Sequence, residues 1–162
     1  MRHHQRGLTA RRLVVFAASV GLAIIAPAEG SAQAQTLSVS GSPAAPLAIV
    51  GVAGGAGSQP APAVNSATTY TVKVPTKTVK KITAQLDSNM PLGTTLTVSL
   101  APPTGASSVP VVLSTTVTDA VTNITSKNNQ TKAITYTLNA TVAAGVVGSQ
   151  TRTVTFTLID FP

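Results

Sequence analysis

From Ile134 to Val142, the apolar residues Ile134, Tyr136, Leu138, Ala140 and Val142 alternate with Thr135, Thr137, Asn139 and Thr141. A period of two sends successive side chains to opposite faces of an extended strand, giving one dry face and one hydroxyl-rich face, whereas a helix would scatter both sets around its circumference. The same alternation recurs in Val154, Phe156 and Leu158 against Thr153, Thr155 and Thr157, and in Leu96, Val98 and Leu100 against Thr95, Thr97 and Ser99. Tyr70, Val72 and Val74 share one face of a further run, as do Ile82, Ala84 and Leu86. Shorter stretches at Thr36–Ser40, Val109–Thr115 and Val117–Thr125 complete the set. Threonine and valine dominate the composition beyond residue 34, and β-branched side chains suit pleated, half-buried surfaces better than helices.

Proline and glycine punctuate these runs. Pro75 ends one, Asp87-Ser88-Asn89-Met90-Pro91-Leu92-Gly93 separates two others, and Pro102-Pro103-Thr104-Gly105 closes a third. Residues 53–63, rich in glycine and proline, read as a flexible loop after the apolar run Leu47 to Val52. The expectation is an all-β fold, an immunoglobulin-like Greek-key β-sandwich of about 7 to 9 strands. A closed barrel fits the same pattern. The segments from Ile134 and from Val154, joined by a loop over Ala143 to Gln150, are expected to pair antiparallel with each other.

The beginning of the chain is different. Arg2, Arg6, Arg11 and Arg12 precede an apolar run from Leu13 to Ala26, then Pro27 and Gly30 lead to Ala32-Gln33-Ala34. This is the layout of a secretory signal peptide, expected to be helical and to be cleaved after Ala34, and its apolar run is shorter than the roughly 20 residues a spanning helix needs. One domain, residues 35–162, would then reach the periplasm and the cell surface or the medium, with no transmembrane segment in the mature chain. Cleavage leaves 7 Lys/Arg against Asp87, Asp119 and Asp160, a net charge of +4 rather than +7. Four of those cations fall between Lys73 and Lys81, where no aromatic residue interleaves with them. The pattern therefore gives no nucleic-acid platform, and lysines that guard a strand edge are the expected reading.

The side chains that handle protons are scarce. His3, His4 and Glu29 all precede residue 35, and the chain has no cysteine or tryptophan. General acid–base and nucleophilic catalysis need a group whose pKa can be brought near neutrality, so no catalytic residue, cofactor site or metal site is expected. Asp87-Ser88-Asn89 resembles only the opening of a calcium loop and reads as an Asx turn. Asn123, Asn129 and Asn139 head Asn-x-Thr triplets, a number that chance supplies in a Thr-rich chain. A Lys–Asn amide crosslink, with Lys73 and Asn139 as partners and Asp87 or Asp119 as proton carrier, is a further reading of the same residues.

The closing stretch Val142-Ala143-Ala144-Gly145-Val146-Val147-Gly148, followed by the alternating Thr151 to Leu158 and by Phe161, resembles the end of pilin-type domains of the chaperone–usher and spore-coat-U kind. The resemblance covers roughly the last 30 residues, lacks the cysteine pair common in those families, and ends on an unexpected Pro162. It implies a structural subunit in homo-oligomers or bound to other surface proteins and to an export chaperone. It also implies an N-terminal donor strand with Leu37 and Val39 pointing inward and a C-terminal assembly strand carrying Val154, Phe156, Leu158 and Phe161. Thr36–Ser40 serves equally well as the first strand of its own sheet. The competing expectation is a monomeric immunoglobulin-like adhesin module that grips a protein or a glycan through its loops, and a hydrolase working through the aspartates stands behind both.

Overall fold

The computed structural model describes residues 34–41, 47, 59–75 and 77–162. The expected signal helix and most of loop 53–63 therefore lie outside the described residues, whereas the bond after Ala34 expected to be cleaved joins two described residues just ahead of the first strand. Nine strands follow in order: β1 (Thr36–Ser40), β2 (Ala63–Lys73), β3 (Lys80–Leu86), β4 (Thr94–Leu100), β5 (Ser107–Ser108), β6 (Val111–Val112), β7 (Thr118–Ile124), β8 (Gln130–Ala140) and β9 (Val154–Asp160). One 3-10 turn, Val142–Ala144, joins the last two. The strands form two antiparallel sheets, a five-stranded one in the order β1-β2-β8-β4-β6 and a four-stranded one in the order β5-β7-β3-β9.

The alternation read from the sequence sets which face of each strand is dry. Tyr70 and Val72 of β2, Leu96, Val98 and Leu100 of β4, and Ile134 and Tyr136 of β8 are buried on the inner face of the first sheet. Ile82, Ala84 and Leu86 of β3, Ala120, Val121 and Ile124 of β7, and Phe156 of β9 are buried on the second, and all belong to a single core. Each large aliphatic side chain so buried contributes about 1.5–3 kcal/mol, which is how a domain without disulfides holds two layers together. Tyr70 is also tied at its far end, its hydroxyl donating to the carbonyl of Ala101 at 2.6 Å.

Three expectations need correction. The segments from Ile134 and Val154 do not pair: β8 lies between β2 and β4, whereas β9 pairs with β3 in the other sheet. The connection between them carries the 3-10 turn from one sheet to the other, so the two amphipathic strands line the core from different layers instead of sharing a ladder. The strand expected over Val109–Thr115 is interrupted, because Pro110 has no N–H to give to a ladder. Around it the chain changes layers, from β5, which pairs with β7, to β6, which pairs with β4. Finally, Lys73 pairs at the start of β1 while Asn139 lies at the far end of β8, where Ala63 meets Leu138 and Val72 meets Gln130. The β2/β8 ladder holds the two residues at its opposite ends, which rules out an amide between them.

Two glycines let the chain turn where a side chain would not fit. Gly41 leaves β1 at φ +89°, and a Cβ there would stand 2.6 Å from the carbonyl oxygen of Ala67, beside the irregularity between Asn65 and Thr68 in β2. Gly93 precedes β4 at φ +75°, and its Cβ would stand 2.7 Å from the amide nitrogen of Ala144 in the 3-10 turn. Both positions combine the left-handed backbone region with a close backbone approach, the pairing that glycine alone accommodates.

Candidate functional site: the open side of the sandwich

The two sides of the sandwich end differently. On one, the edge strands β5 and β6 are two residues long each, and short edges give another chain little to pair with. On the other, the edges are β1, of five residues, and β9, of seven. Some Cα atoms of β1 and β9 lie within 8 Å of each other, yet the two strands belong to different sheets and do not pair.

The β9 ladder shows which backbone groups are left over. The amide of Asp87 donates to the carbonyl of Thr153, and the amide of Phe161 donates to the carbonyl of Val79, so the odd-numbered residues of this segment aim their backbone groups at β3. In an antiparallel ladder, the intervening residues aim theirs the other way. The N–H and C=O groups of Val154, Phe156, Leu158 and Asp160 therefore point out of the open edge. No charged residue, proline or bulge interrupts β9 from Val154 to Ile159, and its register with β3 is regular throughout.

The side chains of those same residues point the opposite way in function. Phe156 is 4% exposed within the core, and Val154 and Leu158 are half-buried against it. Leu37 and Val39, on β1, are likewise half-buried against the core. The residues expected for a donor strand and for an assembly strand thus come together on one side of the molecule. They sit on neighbouring edges, and in this chain β1 is paired with β2, Leu37 opposite Val72 and Val39 opposite Tyr70. Phe161 lies just past the end of β9, partly exposed.

Titratable groups take no part in this rim except at its end. Asp160 closes β9 and pairs with Lys80, the first residue of β3, whose side chain is 9% exposed against 84% for the aspartate. Asp119 pairs with Lys81 at 3.0 Å. Asp87 sits in the turn after β3, where Ser88 donates to its Oδ1. Asn89 accepts at its side-chain oxygen from the amide of Thr115, which fastens this turn to the loop before β7. The three aspartates are dispersed, and no group of three acidic, histidine or cysteine side chains occurs among the described residues. Burial raises both tyrosine hydroxyls, Tyr136 to about 12 and Tyr70 further still, so neither is an acid or base near neutral pH.

The sequence pattern singles out Val154, Phe156 and Leu158 by their alternation alone. The exposed backbone of β9 follows from its position at the end of a sheet, and alternation carries no signal for that. Comparison with protein-family models, with curated proteins and with solved structures gives no match.

Proposed function

We propose that this chain is an exported, non-catalytic structural subunit, pilin-like or coat-like, that assembles by β-strand addition along the open side of an immunoglobulin-like Greek-key sandwich. The observation that carries the reading is the undefended edge of β9. Soluble β proteins blunt such edges with lysine, proline, bulges or very short strands, because a row of unpaired N–H and C=O groups recruits other chains. The β5/β6 side has that protection through brevity, and the β1/β9 side has none of these devices along Val154 to Ile159. An added strand would gain affinity from the backbone groups of Val154, Phe156 and Leu158 and register from apolar side chains dropping onto the half-covered core. In this reading Leu37 and Val39 belong to the strand a subunit offers to the next, and the pairing of β1 with β2 is the arrangement before assembly. Secretion through the periplasm to a cell surface follows from the leader.

Size-exclusion chromatography and electron microscopy of the purified protein test the proposal. Oligomers or fibres are expected, and Thr157→Lys, which puts a charge beside the β9 edge without touching the core, should return them to monomers. Deletion of Gln35–Ser40 should do the same. A wild-type protein that stays monomeric at high concentration, or oligomers indifferent to both changes, would overturn it.

A further inference from the structure

The chain has six lysines, Lys73, Lys77, Lys80, Lys81, Lys127 and Lys132, and the fold gathers all of them at one end of the sandwich. Lys73 is the last residue of β2, and Lys80 and Lys81 are the first two of β3. Lys77 is exposed in the turn between those strands, at φ 68°, and Lys127 is exposed in the turn between β7 and β8. Lys132 lies near the start of β8, opposite Tyr70. The two turns are joined, the amide of Val74 donating to the carbonyl of Ser126 at 2.9 Å. The opposite end carries Asp87 and Arg152, whose charges cancel.

Lysines that guard edges would sit on β1, β5, β6 or β9. None does: β2, β3 and β8 each have a neighbour on both sides. The edge-guarding reading of Lys73 to Lys81 is therefore replaced by a different one. Lysines serving solubility alone would be spread over the surface, because gathering like charges destabilises the folded chain. Only Lys80 and Lys81 meet carboxylates among the described residues, leaving Lys73, Lys77, Lys127 and Lys132 without acidic partners.

We infer that this end is a docking face for an anionic lipid surface, met end-on. Lys73 lies on the outer face of the five-stranded sheet, Lys81 on the outer face of the other, and Lys77 and Lys127 occupy turns at the end. Cations spread across both layers suit a plane of headgroups, whereas a linear polyanion would engage one stripe of them. Of the aromatic residues beyond the leader, Tyr70, Tyr136 and Phe156 are in the core, and Phe161, partly exposed beside Val79, is a single ring, too little to stack successive bases or sugars. Each lysine near a negatively charged bilayer strengthens binding on the order of fivefold at moderate salt.

Cosedimentation of the purified protein with vesicles tests this directly. Vesicles of phosphatidylglycerol mixed with phosphatidylcholine should bind it, phosphatidylcholine alone should bind it far more weakly, and added salt should release it. The triple variant Lys73→Gln, Lys77→Gln, Lys127→Gln should bind the anionic vesicles on the order of a hundredfold more weakly. It should elute from size exclusion as the wild type does, which separates this inference from strand addition at β9. Equal binding to both vesicle types, an unaffected triple variant, or binding to soluble polyphosphate without binding to vesicles would overturn it.

Discussion

The side of the sandwich bounded by β5 and β6 and the side bounded by β1 and β9 solve the same problem in opposite ways. Both end a sheet, and both must leave some backbone unpaired. The first keeps the unpaired stretch down to two residues per strand, and the chain passes between layers there around Pro110. The second leaves a regular seven-residue strand with apolar side chains beneath it. The difference teaches that an edge becomes a candidate site when exposed backbone and a half-covered core coincide, and neither alone suffices.

The largest test of this contrast is a pair of truncations. Phe156→Ala, at the open edge, should cost about 3–5 kcal/mol, because it empties a site 4% exposed in the core. Val112→Ala, at the opposite edge and 59% exposed, should cost under about 0.5 kcal/mol. Urea unfolding measures both, and similar losses at the two positions would erase the distinction between a covered and a superficial edge.

The two tyrosines sharpen the comparison, since Tyr70 lies under β1 on the open side while Tyr136 pairs with Val98 toward the closed one. Burial raises both hydroxyls from an ordinary value of 10.0, Tyr136 to about 12. The unfolded chain therefore loses these protons first as pH rises. The stabilisation they provide is full below pH 10 and is lost as the pH climbs through the folded-state values, so unfolding should become easier from about pH 10 upward. Spectroscopic titration should find that deleting Gln35–Ser40 lowers the Tyr70 transition and leaves Tyr136 near 12. A Tyr70 indifferent to the deletion would mean that β1 adds nothing to its burial. The smallest effect belongs to Thr157→Lys, which should change unfolding stability by less than about 0.5 kcal/mol while altering association. A large loss of stability would show that it damages the fold rather than the edge.

Much of the architecture was legible because alternation is a local property. Leu96, Val98 and Leu100 announce β4 on their own, and Ile134 and Tyr136 announce the inner face of β8. Neighbours are a different matter, since a period of two says which face is dry and nothing about which strand lies alongside. Hence β8 and β9, the two clearest amphipathic runs, were expected to pair and instead occupy different sheets. The start of β2 was hidden for another reason: Ala63-Val64-Asn65-Ser66-Ala67 has little strand preference of its own and is held extended by the ladder with β8. The lysine end depends on bringing Lys73 to Lys81 together with Lys127 and Lys132, a juxtaposition only the topology creates.

One consequence follows from where β1 begins and β9 finishes. Thr36 and Asp160 both lie at the lysine end, opposite Lys73 and Lys80 respectively. Tension applied between these two points would peel each terminal strand from its neighbour one residue pair at a time, instead of loading a whole ladder in shear. The isolated domain should thus yield mechanically at low force, and resistance to pulling would have to come from contacts between molecules.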